Sequence, residues 1–176
     1  MKTEAFLKKE VDIVLAALTP TNRRVMQVAL HTGLRVGDVL ALKTADLKPH
    51  FWVTEAKTGK RRQIGLPEPL LSDLRANAGV EWVFEGRSPE KHHTRQAVWK
   101  DVKRAAKAFR LHANIAPHSA RKTFAAELLS RYGDIEKVRR ALNHSSYAVT
   151  MIYAMADQQR RAKEKHRDKQ PRRIRG

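Results

Sequence analysis

The chain has 176 residues, a length that suits one domain with a hydrophobic core of its own. It contains no cysteine, which excludes disulfides, thiolate metal sites and cysteine nucleophiles. Its 36 Lys and Arg against 18 Asp and Glu give a net charge of +18, which favours a polyanionic partner such as nucleic acid, with a ribosome-associated or membrane-surface role as the alternative.

The first part of the chain predicts three helices. Apolar residues recur at helical spacing over 4–18, and this pattern stops at Thr19-Pro20. A second helix is predicted over about 21–32, and Gly33 suits its C-terminal cap. A short third helix covers about 36–43.

The hydrophobic period then changes from helical to extended. Residues 51–54 and 61–66 predict two strands of a hairpin around the turn Lys57-Thr58-Gly59-Lys60. Residues 67–77 predict a helix that Pro67 opens, and 82–84 predict a third short strand.

Helices dominate the rest of the chain, over about 94–109, 118–131, 135–142 and 146–156. Together the elements indicate a mainly α fold with a small antiparallel three-stranded β-sheet, of the α+β class.

The end of the chain is a basic tail, residues 159–176, that follows a folded domain of residues 1–158. Residues 160–176 hold nine basic and two acidic side chains, so they carry +7 and leave +11 on the rest. The tail has too few apolar residues to fold alone, and we expect it to be flexible or to dock on another surface. Because the chain has neither an apolar run of about 18 residues nor a signal-peptide core, we expect a cytoplasmic protein without membrane contact.

The segment APHSARK begins a helix with a paired histidine and arginine. Pro117 is a favoured first-turn residue, and His118 and Arg121 are three apart, hence on one face. Free amides, the helix dipole and a guanidinium together suit an anion there. A solvated basic first turn is the alternative interpretation.

Two further basic side chains, Arg35 and Lys57, lie in motifs that can be interpreted with or without a functional role. Arg35 follows the Gly33 cap in HTGLRVGD, with Asp38 one helical turn on. The pair is either an ordinary surface ion pair, or Asp38 orients Arg35 towards a phosphate. Lys57 stands at the hairpin tip with Lys60 close by, where lysines often serve solubility, but a flexible hairpin can also deliver an ammonium into a groove.

The stretch ALNHSSYAVTMIY holds one histidine and two tyrosines. Nine helical steps turn through about 900°, which would put His144 and Tyr153 on opposite faces of one continuous helix. Ser145-Ser146 indicates a helix start instead, so His144 is predicted in the preceding turn and Tyr153 inside the next helix. Tyr147 then falls in the first turn of that helix, where it is predicted to pack.

In order and spacing, HTGLRVGD, the KTG hairpin, HSAR and LNHSS with a tyrosine nine residues on resemble the catalytic domain of tyrosine recombinases, the phage integrase family. The resemblance covers about 11–156, so residues 1–158 are expected to form a catalytic domain with the DNA breaking-rejoining fold. It implies five residues around one phosphodiester and a tyrosine nucleophile: Arg35, Lys57, His118, Arg121, His144 and Tyr153.

The resemblance implies a site-specific DNA recombinase or integrase of a mobile genetic element, which cuts and rejoins DNA through a 3′-phosphotyrosyl intermediate. Arg35 and Arg121 would hold the non-bridging oxygens, and His144 would donate a further hydrogen bond. His118 is the expected general base and Lys57 the expected general acid. No metal, ATP or other cofactor is expected.

Double-stranded DNA is the expected partner, bound by a homo-oligomer of two to four chains. The predicted DNA contacts outside the catalytic set are Lys60, Arg61, Arg62 and Lys122. The sequence departs from the family at Asn143, where glycine is usual, and at Ala120, where leucine is common. It also contains no N-terminal core-binding domain, so we expect a separate DNA-clamping protein or domain.

Three other functions are compatible with parts of the pattern. A type IB topoisomerase would use similar groups to relax DNA without exchanging partners. A ribonuclease could use His118, His144 and Lys57 without needing Tyr153, and a non-catalytic DNA-binding module would keep only the basic surface. A metal site at His92-His93 is not expected, because the pair lacks a sensible ligand spacing.

Overall fold

A computed structural model describes residues 4–6, 8–111, 114–144 and 150–151. The described part is mainly helical, as predicted, with one small antiparallel sheet. Its elements in chain order are α1 (Lys8–Ala17), α2 (Pro20–Thr32), α3 (Val36–Leu40), a 3₁₀ turn (Thr44–Asp46), β1 (His50–Thr54), β2 (Arg61–Gly65), α4 (Glu68–Asn77), α5 (Arg95–Ala108), α6 (His118–Tyr132) and α7 (Ile135–Ala141).

The sheet of the described region has two strands, so the predicted third strand over 82–84 is wrong. β1 pairs with β2 in antiparallel register, from His50 opposite Gly65 to Thr54 opposite Arg61. Trp82 makes only an isolated bridge to Lys43. The apolar run at 82–84 was misleading because Val83 and Phe84 are buried in the core from a turn rather than from a paired strand.

Helix α2 is the central element of the fold. It contacts α1, α3, α4, α5 and α6. Its inward positions are fully buried in the main hydrophobic core: Val25, Met26, Val28 and Ala29. Because packing holds α2 on most of its circumference, the position at which its C-terminal end meets α6 is also fixed.

The end of α2 is shaped by Gly33. This residue has φ 64°, and its N–H donates to the Ala29 carbonyl at 2.9 Å, which closes the helix with a left-handed cap. A Cβ built on Gly33 would lie 2.4 Å from Cδ1 of Phe124 in α6. The absence of a side chain thus permits both the cap and the close approach of α6, and Arg35 follows two residues later as the N-cap of α3.

The C-terminal part of the described region is an α6–α7 corner. α6 begins at His118 and ends at Gly133, and the Asp134 carboxylate then caps α7 by accepting the Glu136 and Lys137 amides at 2.8 and 3.2 Å. A second small core joins the two helices through Ala125, Val138 and Leu142.

Several predictions concern residues outside the described ranges. These are the Ser145-Ser146 helix start, Tyr147, Tyr153 and the tail of residues 159–176; of the helix predicted over 146–156, only 150–151 are described, and they are helical. Among the helices of the described ranges, none is long and apolar enough to cross a membrane.

Candidate active site

Arg35 lies at the junction between α2 and α3, where its side chain is a quarter exposed. Its Nη1 forms an ion pair with the carboxylate of Glu55, the residue after β1. The predicted partner, Asp38, is farther away, with Oδ2 4.0 Å from the same nitrogen. Asp38 Oδ1 instead accepts the Ala56 amide at 2.9 Å, so this carboxylate links α3 to the hairpin.

Arg121 is an almost fully buried guanidinium in the first turns of α6, with 1% of its surface exposed. Its Nη1 donates to the Gly33 carbonyl at 2.7 Å, and its Nη2 donates to the Leu142 carbonyl at 2.5 Å. The same Nη1 lies 4.0 Å from Oε2 of Glu55. The side chain is thus held by the end of α2, the end of α7 and the hairpin at once.

Glu55 is the site residue that sequence reasoning missed. It is fully buried, and its carboxylate lies among three guanidiniums: those of Arg35, Arg62 and Arg121. A signal was present, because the inward positions of β1 alternate as Phe51 and Val53, and Glu55 continues that alternation by one step. An acidic residue at a position that should be apolar indicates a buried ion pair.

Arg62 was predicted to contact DNA, and the structure places it against the protein. Its side chain is 13% exposed, with Nε 3.2 Å from Oε1 of Glu55. It also donates to the Thr32 carbonyl at 2.8 Å and to the Ala141 carbonyl. Burial lowers the pKa of Arg62, while the Glu55 carboxylate acts in the opposite direction. These bonds tie β2 to the ends of α2 and α7, and a contact of Arg62 with DNA stays a prediction.

The hairpin carries Lys57 exposed in its turn, as predicted. The Glu55 amide donates to the Lys60 carbonyl at 3.0 Å, and the Gly59 amide donates back to the Glu55 carbonyl at 2.8 Å. Gly59 has φ 65°, the left-handed conformation that such a turn requires. Lys60 is exposed in the same loop, and Arg61 lies over the exposed Trp52 ring at 5.5 Å.

His118, on the first turn of α6, has its pKa lowered to about 4. The largest cause is partial loss of hydration, although His118 is still exposed to solvent. The positive charges of Lys122, Arg121, Arg35 and Lys57 add to this effect, in that order. The imidazole is therefore neutral at pH 7 and can accept a proton.

His144 is buried, and its Nδ1 lies 3.0 Å from the Thr150 hydroxyl oxygen. Burial lowers its pKa to about 4, followed by the charges of Arg121 and Arg35, while Glu55 acts in the opposite direction. Its predicted position in a turn is confirmed, since it follows α7 and its amide donates to a carbonyl of that helix at 3.0 Å.

The residue before this histidine is Asn143, which has φ 56°. This left-handed conformation explains why a glycine is expected there and why asparagine is accepted.

The five predicted residues of the described part converge on one place. Arg35 and Arg121 both lie within 4.0 Å of the Glu55 carboxylate, and the charges of Arg35, Lys57 and Arg121 lower the pKa of His118. The charges of Arg35 and Arg121 also lower the pKa of His144. Lys122 lies beside them on α6. Tyr153 lies outside the described residues.

Chemically, the cluster offers two oriented guanidiniums, one exposed ammonium and two neutral imidazoles. Such a set can bind a tetrahedral phosphate and move protons beside it. Within the described ranges, no group of three His, Asp or Glu side chains could hold a metal ion.

The model of the phage integrase family matches residues 5–160 of the chain. The Bacillus subtilis protein named "Probable integrase/recombinase YoeC" is 34% identical in an alignment of 138 positions that covers 73% of this chain and 74% of that protein. The tyrosine recombinase XerA of Pyrococcus furiosus is 29% identical over 86% of this chain and 55% of its own length. The chain thus spans about half the length of most of the curated relatives named as XerA or XerD.

Solved structures with the same fold include a lambda integrase dimer bound to a COC′ core site, with a TM-score of 0.76 and 21% identity over 90% of this chain and 49% of that one. The catalytic domain of bacteriophage HP1 integrase matches with a TM-score of 0.66 and 19% identity over 88% of both chains. At these identities the similarity concerns the fold alone.

Proposed function

This chain belongs to the phage integrase family of tyrosine recombinases, and from that premise we propose that it cuts and rejoins double-stranded DNA at specific sites through a 3′-phosphotyrosyl intermediate. The observation that carries the proposal is the pair of guanidiniums beside one buried carboxylate. Arg35 bonds to Glu55. Arg121 is held by two backbone carbonyls, and its Nη1 lies 4.0 Å from the same Glu55 oxygen. A planar guanidinium held in this way has few conformations to lose when it binds a phosphate.

The proposed chemistry is an in-line displacement at one phosphodiester of DNA. The Tyr153 oxygen attacks phosphorus, and the bond from phosphorus to the 5′ oxygen breaks. His118 accepts the phenolic proton, and Lys57 gives a proton to the departing 5′ oxygen. The neutral state of His118 at pH 7 supports its role as base, because an imidazolium has no lone pair to accept a proton.

The arginines and the second histidine act on the charge that develops in the transition state. Arg35 and Arg121 bind the non-bridging oxygens, and His144 donates a further hydrogen bond. The phosphotyrosyl bond retains the phosphodiester energy. The 5′-hydroxyl of a second DNA strand can therefore attack this bond and reverse the step without ATP. This exchange of partners is what makes the reaction a recombination.

The proposed partners are duplex DNA and further copies of the chain. Lambda integrase has been solved as a dimer on a core site and as a tetramer on a Holliday junction. In this proposal the exposed Lys60 and Arg61, together with Lys122 on α6, extend the basic surface beyond the reacting phosphate. We assign a DNA-clamping role to a separate protein or domain, in line with the extra length of the relatives.

The test is to capture the covalent intermediate. A pool of duplexes with a randomised core and a nick near the core would trap the adduct, because the short cleaved fragment diffuses away and religation stops. The expected result is a protein–DNA adduct that survives SDS and maps by mass spectrometry to Tyr153. Tyr153→Phe should abolish the adduct and leave DNA binding nearly unchanged, since affinity comes mainly from phosphate contacts.

Tyr147→Phe is the matched control and should still form the adduct. The opposite outcome, in which Tyr147→Phe loses the adduct and Tyr153→Phe keeps it, would show that the nucleophile is assigned wrongly. The recovered duplex then serves in a strand-exchange assay. Relaxation of supercoiled DNA without exchange between two duplexes would indicate topoisomerase chemistry instead of recombination.

A further inference from the structure

Glu55 closes the base of the hairpin that carries Lys57. Its amide donates to the Lys60 carbonyl at 3.0 Å, and its carbonyl accepts the Thr58 and Gly59 amides at 3.2 and 2.8 Å. Its side chain turns the other way, into the protein, and is fully buried. One residue therefore defines the start of the loop and also projects a negative charge beneath the active site.

The two oxygens of this carboxylate face different arginines. Oε2 pairs with Arg35 and lies 4.0 Å from Nη1 of Arg121, whereas Oε1 lies 3.2 Å from Nε of Arg62. Arg62 is in turn bonded to the Thr32 and Ala141 carbonyls. Arg62 thus holds one oxygen of the carboxylate, and the other oxygen faces the Arg35 and Arg121 guanidiniums.

The charge balance explains why a carboxylate is needed at this point. Arg35 and Arg121 both approach one oxygen to within 4.0 Å, and two guanidiniums so close repel each other unless a negative charge lies between them. A buried carboxylate without cationic partners would itself be strongly destabilising. The buried carboxylate and the two guanidiniums therefore stabilise one another.

We propose that Glu55 is a positioning residue for DNA cleavage, which sets the spacing of the Arg35 and Arg121 guanidiniums so that together they match the non-bridging oxygens of one phosphate. This inference rests on the proposed function and adds to it a residue that touches neither DNA nor the nucleophile. Because the Glu55 backbone also closes the hairpin, this one residue links the position of the two arginines to the position of the Lys57 loop.

The experiment compares Glu55→Gln with the wild type on two substrates in single-turnover cleavage. One substrate is the nicked duplex recovered from the pool, and the other carries a methylphosphonate at the scissile position, which removes the negative charge that the arginines bind. Misplacement of a positioning group by about 1 Å can cost about 100-fold in rate, and we expect a loss of about that size on the phosphodiester. On the methylphosphonate the loss should be about tenfold smaller, since correct placement of the arginines then matters less.

A role in folding alone would lower both rates by the same factor, and equal losses would overturn the proposal. Asp101→Asn is the matched control, because Asp101 is another buried carboxylate, bonded to Thr19, Asn22 and Arg104. Its loss should reduce the two rates equally. Glu55→Asp keeps the charge but is one methylene shorter, so it should reproduce the substrate-dependent loss in smaller measure; a Glu55→Asp chain that matches the wild type on both substrates would also overturn the proposal.

A second measurement separates this inference from the proposed function. The guanidinium resonances of Arg35 and Arg121 in a nitrogen-15 NMR spectrum of the DNA-free protein, assigned with the two Arg→Lys variants, report whether rotation about each guanidinium is hindered. For Arg35, which Glu55 bonds directly, we expect separate terminal nitrogen signals in the wild type and averaged signals in Glu55→Gln. For Arg121, which two backbone carbonyls hold, the signals should stay separate but shift in frequency. Unchanged Arg35 signals would overturn the positioning role. Changed signals in a protein that forms no covalent adduct would show that Glu55 orients the arginine but would overturn the recombinase function.

Discussion

At the scale of single residues, the site combines groups whose environments push them towards different tasks. Burial and backbone acceptors fix the Arg121 guanidinium, while Lys57 remains exposed on its loop. Two histidines are held neutral by lost hydration and by neighbouring positive charge. In the proposed mechanism, anion binding and proton transfer are thus divided between different side chains.

Replacing Arg121 by lysine should lower the cleavage rate strongly even though the positive charge is kept. One ammonium cannot donate to the Gly33 and Leu142 carbonyls and to a phosphate with the geometry of a planar fork. We expect a loss of about 100-fold or more in single-turnover cleavage, and a larger loss for Arg121→Ala. Arg104→Lys, at an exposed arginine that bonds Asp101 within α5, should cleave like the wild type. A lysine variant as active as the wild type would contradict a phosphate clamp.

The lowered pKa of His118 predicts how cleavage depends on pH. With a pKa of about 4 in the free protein, the imidazole stays unprotonated on going from pH 8 down to about pH 5, so kcat/KM should not fall near pH 6.5. A bound phosphate favours the imidazolium, so the acidic limb of kcat at saturating DNA should lie at higher pH. An acidic limb of kcat/KM centred near pH 6.5 would contradict the lowered pKa of His118.

The same shifts affect stability, with a definite sign. His118 and His144 bind protons in the unfolded chain below about pH 6.5, but in the folded chain only near pH 4. The unfolded state therefore binds more protons between these values, and stability should decrease as the pH falls from 6.5 towards 4. Thermal unfolding between pH 7 and pH 4.5 measures this decrease.

At the scale of elements, the site depends on where helix ends meet. Arg121 of α6 reaches a carbonyl just past α2 and another just past α7, and Arg62 of β2 reaches the ends of the same two helices. Carbonyls at helix C-termini lack partners within the helix, so they are natural acceptors for guanidinium groups. These two arginines thus donate hydrogen bonds to carbonyls at helix ends and at the same time connect the elements that form the site.

Gly33→Ala tests how closely α2 and α6 must approach. Alanine in a left-handed conformation costs about 1 kcal/mol, and here its Cβ would also lie 2.4 Å from Phe124. Gly133→Ala is the matched control, because Gly133 caps α6 with φ 63° and has open space around it. Urea unfolding should therefore give a loss of about 1 kcal/mol for Gly133→Ala and about 1–3 kcal/mol more for Gly33→Ala. Equal losses would mean that Phe124 moves aside at no cost.

At the scale of the whole molecule, both the C-terminal tail and the rest of the chain carry a net positive charge. The net charge of +18 includes +7 in residues 160–176, a segment with few apolar side chains. A polyanion such as DNA gains affinity from every neutralised phosphate, because condensed counterions are released. Affinity should therefore depend steeply on salt, and the tail should account for part of that dependence.

Truncation after Gln159 should weaken DNA binding and flatten the slope of log affinity against log salt, with the fold unchanged. The removed segment would otherwise neutralise several phosphates. Binding isotherms at several salt concentrations measure the slope, and circular dichroism checks the fold. If the tail instead docks on a neighbouring protomer, truncation would disrupt higher-order complexes on DNA and leave the slope of a single protomer unchanged.

Much of this protein could be predicted from local sequence patterns. The helices α2, α5, α6 and α7, the hairpin and the Gly33 cap follow from hydrophobic period and turn chemistry, which act within a few residues. The motif residues Arg35, Lys57, His118, Arg121 and His144 were likewise predicted by type and spacing. The third strand failed at Val83 and Phe84, because burial in a turn and burial in a strand leave the same apolar run.

Tertiary structure alone decided which charges meet inside the site. Sequence placed Asp38 beside Arg35, one helical turn away, but the folded chain brings Glu55, 20 residues on, into direct contact with it. It also turns Arg62 inward and places the Arg121 guanidinium on a carbonyl 88 residues away. The physical reason is that a buried charge is stabilised by whichever partners packing brings to it, and those partners are set by long-range contacts that no local period encodes.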